Sequence, residues 1–576
     1  MILDETLDCQ PAAPARDFPC WRCGLAGFCK ARTEPLTRWR LTIALILLLV
    51  IALPLAAPVG QLLSDPTAWR SWTEASRLLA LARNTFFLIA GTLALALPTG
   101  IAGAVLLYRT DLPLRRFWRL LTLLTLFVPL PLFTSGWQAV LGSGGWLPVP
   151  AWSGSGAVWT PWGQGIGSAI WIHAVAALPW VILLVGQGLS WVERELEEDA
   201  LTLMPSWCVL LSVTLPRAGA ALGAAALWVS LQAATEITVT DVMQVRTFAE
   251  EVYTQIVGGP DAEEGVARAV AATLPFVLLV AILVGCVARF WERRLPARMT
   301  LLTGPLVFRL GRWRWPLVLV VALLCGLLLA MPLGSLVWRA GLTGTPPSWS
   351  AGTTARYLVR ACRPPEGWML LENLLLVAGT GAIVAAAGLL ACWAARGSRW
   401  FRGGVLVLMA TAWAMPGPLI GLGLKMVIDR LLTISDSPWL AQVLYHGPSP
   451  LPLMWVDAIR FFPCAVAILW PVTRLMPAEL SDAARVDGAT PGQELRRVVW
   501  PLTSTAYGQA ALAVAVLSLG ELSAGKLVAT PGMPGYATEI FTQMHYGVTN
   551  ELAARCVLLL ILVTIAACGL AFGQGR

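Results

Sequence analysis

The chain has 576 residues, of which 57% are hydrophobic and 13% charged, with a mean hydropathy of +0.70. Soluble domains carry about 25% charge, and a chain this long would divide into several of them, so 41 basic and 33 acidic residues are too few to solvate their surfaces. The composition excludes a soluble multidomain protein, a disordered chain and a small disulfide-stapled module; an all-α polytopic membrane protein remains.

The net charge is +8, but the basic residues fall in short clusters between apolar runs. That is the positive-inside pattern and not a nucleic-acid-binding domain. The 28 Trp and 40 Pro suit membrane helices, where Trp anchors interfaces and Pro is better tolerated than in water.

Residues 1–40 read as a cytoplasmic tail holding Cys9, Cys20, Cys23 and Cys29. Disulfides are disfavoured in that compartment. Four thiols have the count for tetrahedral zinc, although the Cys23–Cys29 spacing is irregular for such a site. The tail is too long for the n-region of a cleaved signal peptide.

Runs of about 20 apolar residues can cross a bilayer as helices. In chain order they are Leu41–Pro58, Asn84–Leu107, Leu120–Leu141, Gly165–Val192, Ala218–Thr235, Ala269–Ala288, Trp315–Trp338, Asn373–Ala395, Gly403–Leu424, Leu451–Met476, Ala506–Leu519 and Cys556–Phe572. The expectation is therefore about twelve spans, six in 41–292 and six in 315–576, joined by a basic cytoplasmic linker, 293–314. The tenth run is interrupted by Asp457 and Arg460. Arginine-rich loops at 109–119, 289–314 and 396–402 alternate with the acidic stretch 241–264, which predicts both termini in the cytoplasm.

The halves repeat. Ala249-Glu250-Glu251-Val252-Tyr253-Thr254-Gln255 matches Ala537-Thr538-Glu539-Ile540-Phe541-Thr542-Gln543, and Asn84 and Asn373 each open a second span. Glu236 and Glu521 are 285 residues apart, as are Pro216 and Pro501. Six spans per half keep both halves in one orientation, which implies a pseudo-two-fold axis along the membrane normal.

Between the tenth and eleventh spans stands Asp482-Ala483-Ala484-Arg485-Val486-Asp487-Gly488-Ala489, followed by Pro501. This resembles the cytoplasmic EAA loop of ABC-importer permeases, with Asp482 in place of the Glu. The first-half counterpart, Glu198-Asp199-Ala200 through Pro216, lacks the Gly. The run Glu236–Asp241 with Val245–Ala249 is similar to the fused, two-lobed ferric-iron group of binding-protein-dependent permeases. The resemblance implies two tandem permease lobes and ferric iron as a candidate cargo. It also implies two cytoplasmic ABC ATPase subunits carrying ATP and Mg²⁺, an extracytoplasmic solute-binding protein, and a place in the bacterial inner membrane. Small residues beside Gly488 would let a short helix lie close against a partner, and Gly488 can adopt positive φ and turn the chain.

Carboxylates inside a membrane usually face the bundle interior or a water-filled cavity. Glu236 and Glu521 therefore either line a pathway or bond neighbouring helices; Lys526, five residues beyond Glu521, would neutralise it locally. His173 and Asp457 align between the halves and are further pathway candidates. Gly520–Leu527 nearly spells a phosphate-binding loop but fails at Leu527, where a hydroxyl is needed, and follows a membrane helix instead of a strand. With three His in the chain and no reactive cluster, the expectation is a transport subunit with no cofactor of its own and no enzyme activity. The alternatives are a secondary transporter with two parallel halves and a membrane assembly scaffold.

Overall fold

The computed structural model describes residues 37–64, 66–126, 128–141, 152–154, 157–159, 165–258, 262–294, 305–344, 348–544 and 548–573. Cys9, Cys20, Cys23 and Cys29 lie outside them, so the zinc expectation falls outside the described residues.

The described chain is built of helices, because in hydrocarbon every backbone N–H and C=O must be satisfied within the segment. In the N-terminal half these are α1 (Thr37–Leu63), α2 (Ala75–Arg109), α3 (Arg115–Leu126), α4 (Leu130–Leu141), α5 (Ile166–Ser190), α6 (Arg194–Leu201), α7 (Ser206–Arg217), α8 (Gly219–Thr235), α9 (Thr238–Val242), α10 (Phe248–Gly258) and α11 (Ala262–Arg294). In the C-terminal half they are α12 (Gly311–Gly341), α13 (Ala351–Ala361), α14 (Glu366–Ala395), α15 (Arg399–Ala414), α16 (Gly417–Ile434), α17 (Leu451–Leu475), α18 (Ala478–Val486), α19 (Pro491–Leu519), α20 (Gly525–Val528), α21 (Tyr536–Met544) and α22 (Asn550–Gly573). Short helical segments at Pro66–Thr73, Pro438–Ala441 and Gln442–His446 and two short antiparallel hairpins, Trp152–Gly154 with Ala157–Trp159 and Leu342–Thr343 with Ser348–Trp349, complete it.

Among the described residues eight helices are long and apolar enough to cross a membrane, or eleven if each bent pair is one span. The count falls short of the twelve expected spans among the described residues, and three of the expected spans are bent pairs. The bends are 98° between α3 and α4, 67° between α7 and α8, and 112° between α15 and α16. Prolines stand at each: Pro129 and Pro131, Pro216, and Pro416 and Pro418. A proline removes a ladder N–H and clashes with the preceding turn. The tenth run is not broken at all: α17 is continuous over 25 residues. Asp457 is buried within it and the Arg460 side chain is 10% exposed.

The interior is assembled from small residues and branched aliphatics, with α2 on α5 and α8, and α14 on α17 and α19. Leu319, Leu323, Leu375 and Phe86 project outward, as expected where lipid is the solvent. The first helix of each half leans on the other half. Helix α1 packs along α16, and Trp455 Nε1 donates to the Val50 carbonyl at 2.8 Å. Helix α12 packs along α4, and Ser335 Oγ donates to the Gly136 carbonyl at 2.8 Å. A Cβ on Gly423 would lie 2.0 Å from the Pro54 carbonyl oxygen, and one on Gly136 2.7 Å from Pro332 Cβ. Only glycine permits these two approaches, and the two positions are 287 residues apart.

Candidate functional site: two loop helices and a central cleft

Helix α18 carries Asp482, Ala483 and Ala484 and ends at Asp487, whose N–H donates to the Ala483 carbonyl at 3.0 Å. Gly488 follows with φ +84°, and the Ala489 N–H returns to the Ala484 carbonyl at 2.9 Å. This left-handed residue is a common helix stop. Thr490 then caps α19 in a reciprocal capping box with Gln493, which satisfies donors that the first turn leaves orphaned. Pro501 sits inside α19 and offers no N–H to the preceding turn; the helix is locally widened there, at Leu495–Val499. Leu480 and Val486 of α18 are exposed, and the Arg485–Glu494 contact of 3.3 Å ties α18 to α19.

In the first half, Glu198, Asp199 and Ala200 lie on α6, and Pro216 near the end of α7. Glu198 pairs with Arg194 at 2.6 Å on the surface. No positive φ occurs here; Leu203 and Met204 donate to the Ala200 carbonyl instead, and Leu203 is 85% exposed. The anchoring residue is Glu197. Its carboxylate is buried against Arg109 and accepts Thr214 Oγ at 2.7 Å.

A cleft of about 100 Å³ lies where the two halves meet. The N-terminal half contributes Thr92, His173, Trp180, Trp228, Gln232 and Glu236; Arg460 and Glu521 come from the C-terminal half. Three of the four pathway candidates, His173, Glu236 and Glu521, therefore line the same cleft. Asp457 does not line the cleft; it lies behind, within electrostatic reach of Glu521 and Arg460. Glu236 accepts Thr238 N at 2.7 Å and Val239 N at 3.1 Å, and so caps α9. Glu521 accepts Ala524 N and Ser523 Oγ, each at 2.8 Å, and pairs with Arg460. Each glutamate thus organises a turn and also faces the cleft. The His173 Nε2, Thr92 Oγ and Trp228 Nε1 atoms are buried there without a partner among the described residues.

The cation paired with Glu521 is Arg460, and Lys526 is placed against two aromatic rings. It lies 5.1 Å from the Tyr253 ring and 5.5 Å from the Phe541 ring, matching positions of the repeated motif on α10 and α21. The motif is held alike in both halves. Gln255 donates to Glu251 at 2.6 Å and Gln543 to Glu539 at 2.7 Å. Asn84 donates to the Arg246 carbonyl, and Asn373 accepts from Tyr536 N, each at 3.0 Å. On α10, burial and the nearby Asp241 charge push the Glu250 carboxyl up to about 7.

Sequence reasoning missed Arg109, Glu197, Gln232 and the Arg460–Glu521 pair. Gln232 precedes Glu236 by four residues, a helical spacing visible in the sequence, although Glu236 stands just past the end of α8 with an extended backbone. Among the described residues no group of three or more His, Cys, Asp or Glu is placed to hold a metal ion.

Residues 387–572 match the family described as the binding-protein-dependent transport system inner membrane component. The match runs from within α14 to within α22 and takes in Arg460, the Gly488 loop and Glu521. It covers less than half of the chain. No curated protein matches the chain. The match supports a multi-pass inner-membrane permease subunit of a binding-protein-dependent ABC importer, a class of transport subunits.

Proposed function

We propose that the chain is the fused, two-lobed permease of an ATP-driven importer, with lobes at 41–292 and 315–576 and both termini in the cytoplasm. The observation that carries this reading is the α18–Gly488–capping-box loop, which presents Leu480 and Val486 outward inside the matched segment. An exposed short helix followed by a firm turn is what a docking element needs. In this reading α18 and α6 each seat one ATPase subunit. A solute-binding protein delivers cargo to the face carrying α10 and α21, and the cargo passes through the central cleft. The Gln255–Glu251 and Gln543–Glu539 bonds, and the close approaches at Gly136 and Gly423, support two equivalent lobes.

Ferric iron is the proposed cargo, on the resemblance of Glu236–Ala249. Glu236 and Glu521 outnumber Arg460 in the cleft lining, which favours a cation. Weak, incomplete coordination suits passage better than a closed chelating set. Reconstitution of the chain with its ATPase and binding protein in liposomes tests the reading: ferric ion uptake should require both ATP and the binding protein.

A second reading has one observation in its favour. The grouping of Glu236, His173, Arg460 and Glu521 at one cleft is also what a gradient-driven transporter would use. Uptake by the chain alone, driven by a proton or sodium gradient, would select it.

A further inference from the structure

Each half carries one arginine at the end of its second membrane helix, Arg109 at the end of α2 and Arg396 just beyond α14, 287 residues apart. Each arginine holds the loop helix of its own half. Arg109 is buried against Glu197 of α6. Arg396 donates to Ser481 Oγ of α18 and to the Met476 carbonyl, each at 3.3 Å.

The backbone of each arginine is held by residues that open or lead into the first helix of the other half. Arg40, on α1, donates to the Arg396 carbonyl at 2.7 Å and to the Ala394 carbonyl at 3.0 Å. Trp39 meets Trp393 edge-on at 5.8 Å. On the other side, Phe308 N, in the segment leading into α12, donates to the Arg109 carbonyl at 2.8 Å. The Phe308 ring lies 5.9 Å from the Arg109 guanidinium. Leu310 N donates to Asp111 Oδ1 at 2.8 Å, and Arg314 approaches Asp111 at 3.7 Å.

Carbonyls at a helix C-terminus lack intrahelical partners, and a cation there also complements the helix dipole. Left open, such a turn would fray and absorb any displacement of the loop helix it carries. Tied across to α1 or α12, the turn passes that displacement to the opposite half. We propose that these contacts are a reciprocal clamp for energy coupling, with Arg40 as a positioning residue for the α18 loop and Asp111, through residues 308–314, for the α6 loop. The proposal rests on the reading of α18 and α6 as ATPase-docking helices. The α18 side depends more on its clamp, because Arg396 holds a hydroxyl and a carbonyl where Arg109 holds a buried carboxylate.

The test uses the complex of the full chain with its ATPase and binding protein in lipid nanodiscs, comparing wild type with Arg40→Ala, Arg40→Lys and Asp111→Ala. Basal ATP hydrolysis and the amount of assembled complex should match wild type. Stimulation by loaded binding protein should fall at least about 5-fold in Arg40→Ala, fall less in Asp111→Ala, and be largely rescued in Arg40→Lys. Wild-type stimulation in both Arg40→Ala and Asp111→Ala overturns the clamp alone. A loss that only tracks reduced assembly, with no rescue by Arg40→Lys, also overturns it. Should Arg40→Ala not assemble, Arg40→Lys and Asp111→Ala decide by the same stimulation ratio. A wild-type chain that binds no ATPase overturns the importer reading, and the clamp with it.

Discussion

Arg460 on α17 and Glu521 beyond α19 form an ion pair at the wall of the central cleft, with side chains 10% and 5% exposed. Asp457 and Glu236 stand close by, so Arg460 is the cation among three carboxylates. Removing one member of a buried pair costs about 3–5 kcal/mol, because the other is left uncompensated. Arg460→Met should therefore lower the thermal unfolding midpoint in detergent markedly. Glu521→Gln should lower it less, since Asp457 remains near Arg460 and Gln can still accept from Ala524 N. Equal losses would mean that Asp457 does not share the Arg460 charge.

Gly488 has φ +84° and open space where a Cβ would stand. A β-branched residue there meets backbone strain of about 1–3 kcal/mol but no clash. Gly488→Val should leave expression near normal while transport and solute-stimulated ATP hydrolysis drop sharply. Leu203→Val, on the exposed turn of the first loop, should be mild. Two silent substitutions in a working transport assay would remove the coupling role of these loops.

Glu250 has its carboxyl raised to about 7 from an ordinary value of 4.5, by burial first and by Asp241 second. A carboxyl raised in the folded state binds more protons there than in the unfolded chain, so stability falls as pH rises between about 4.5 and 7. Glu250→Gln removes that titration. The difference in unfolding midpoint between pH 5 and pH 8 should be smaller in Glu250→Gln than in wild type.

The spans, the loop at 482–501 and the paired glutamates were legible because each is a local pattern: an apolar run, a turn signature, a position repeated after 285 residues. Gln232 aside, the misses are contacts between segments distant in sequence. Arg109 and Glu197 are 88 residues apart, and nothing in either neighbourhood marks the other. Arg460 was read as an interruption of a membrane run, although it follows Asp457 by three residues and so shares its helix face. Lys526 misled for the opposite reason. Proximity in sequence suggested Glu521, while the fold carries the ammonium to Tyr253 and Phe541. The bent spans were hidden because hydropathy does not register a proline as a break.

The tail and the clamp separate by truncation. Deleting residues 1–33 should leave membrane insertion and transport largely intact. Extending the deletion through Arg40 should abolish solute-stimulated hydrolysis, because Arg40 caps α14. Loss of transport in the shorter deletion, with stoichiometric zinc in the purified wild type, would instead assign a working metal site to the four cysteines.

The central claim is that α18 and α6 dock an ATPase. The direct measurement is the stoichiometry of the complex purified from membranes through a tag on this chain, after co-expression with the candidate ABC ATPase. The account predicts two ATPase subunits per chain. It also predicts site-specific cross-links from Leu480 or Val486 of α18, and from Leu203 beside α6, to the ATPase. A chain that purifies without ATPase and takes up solute under an ion gradient alone would contradict it.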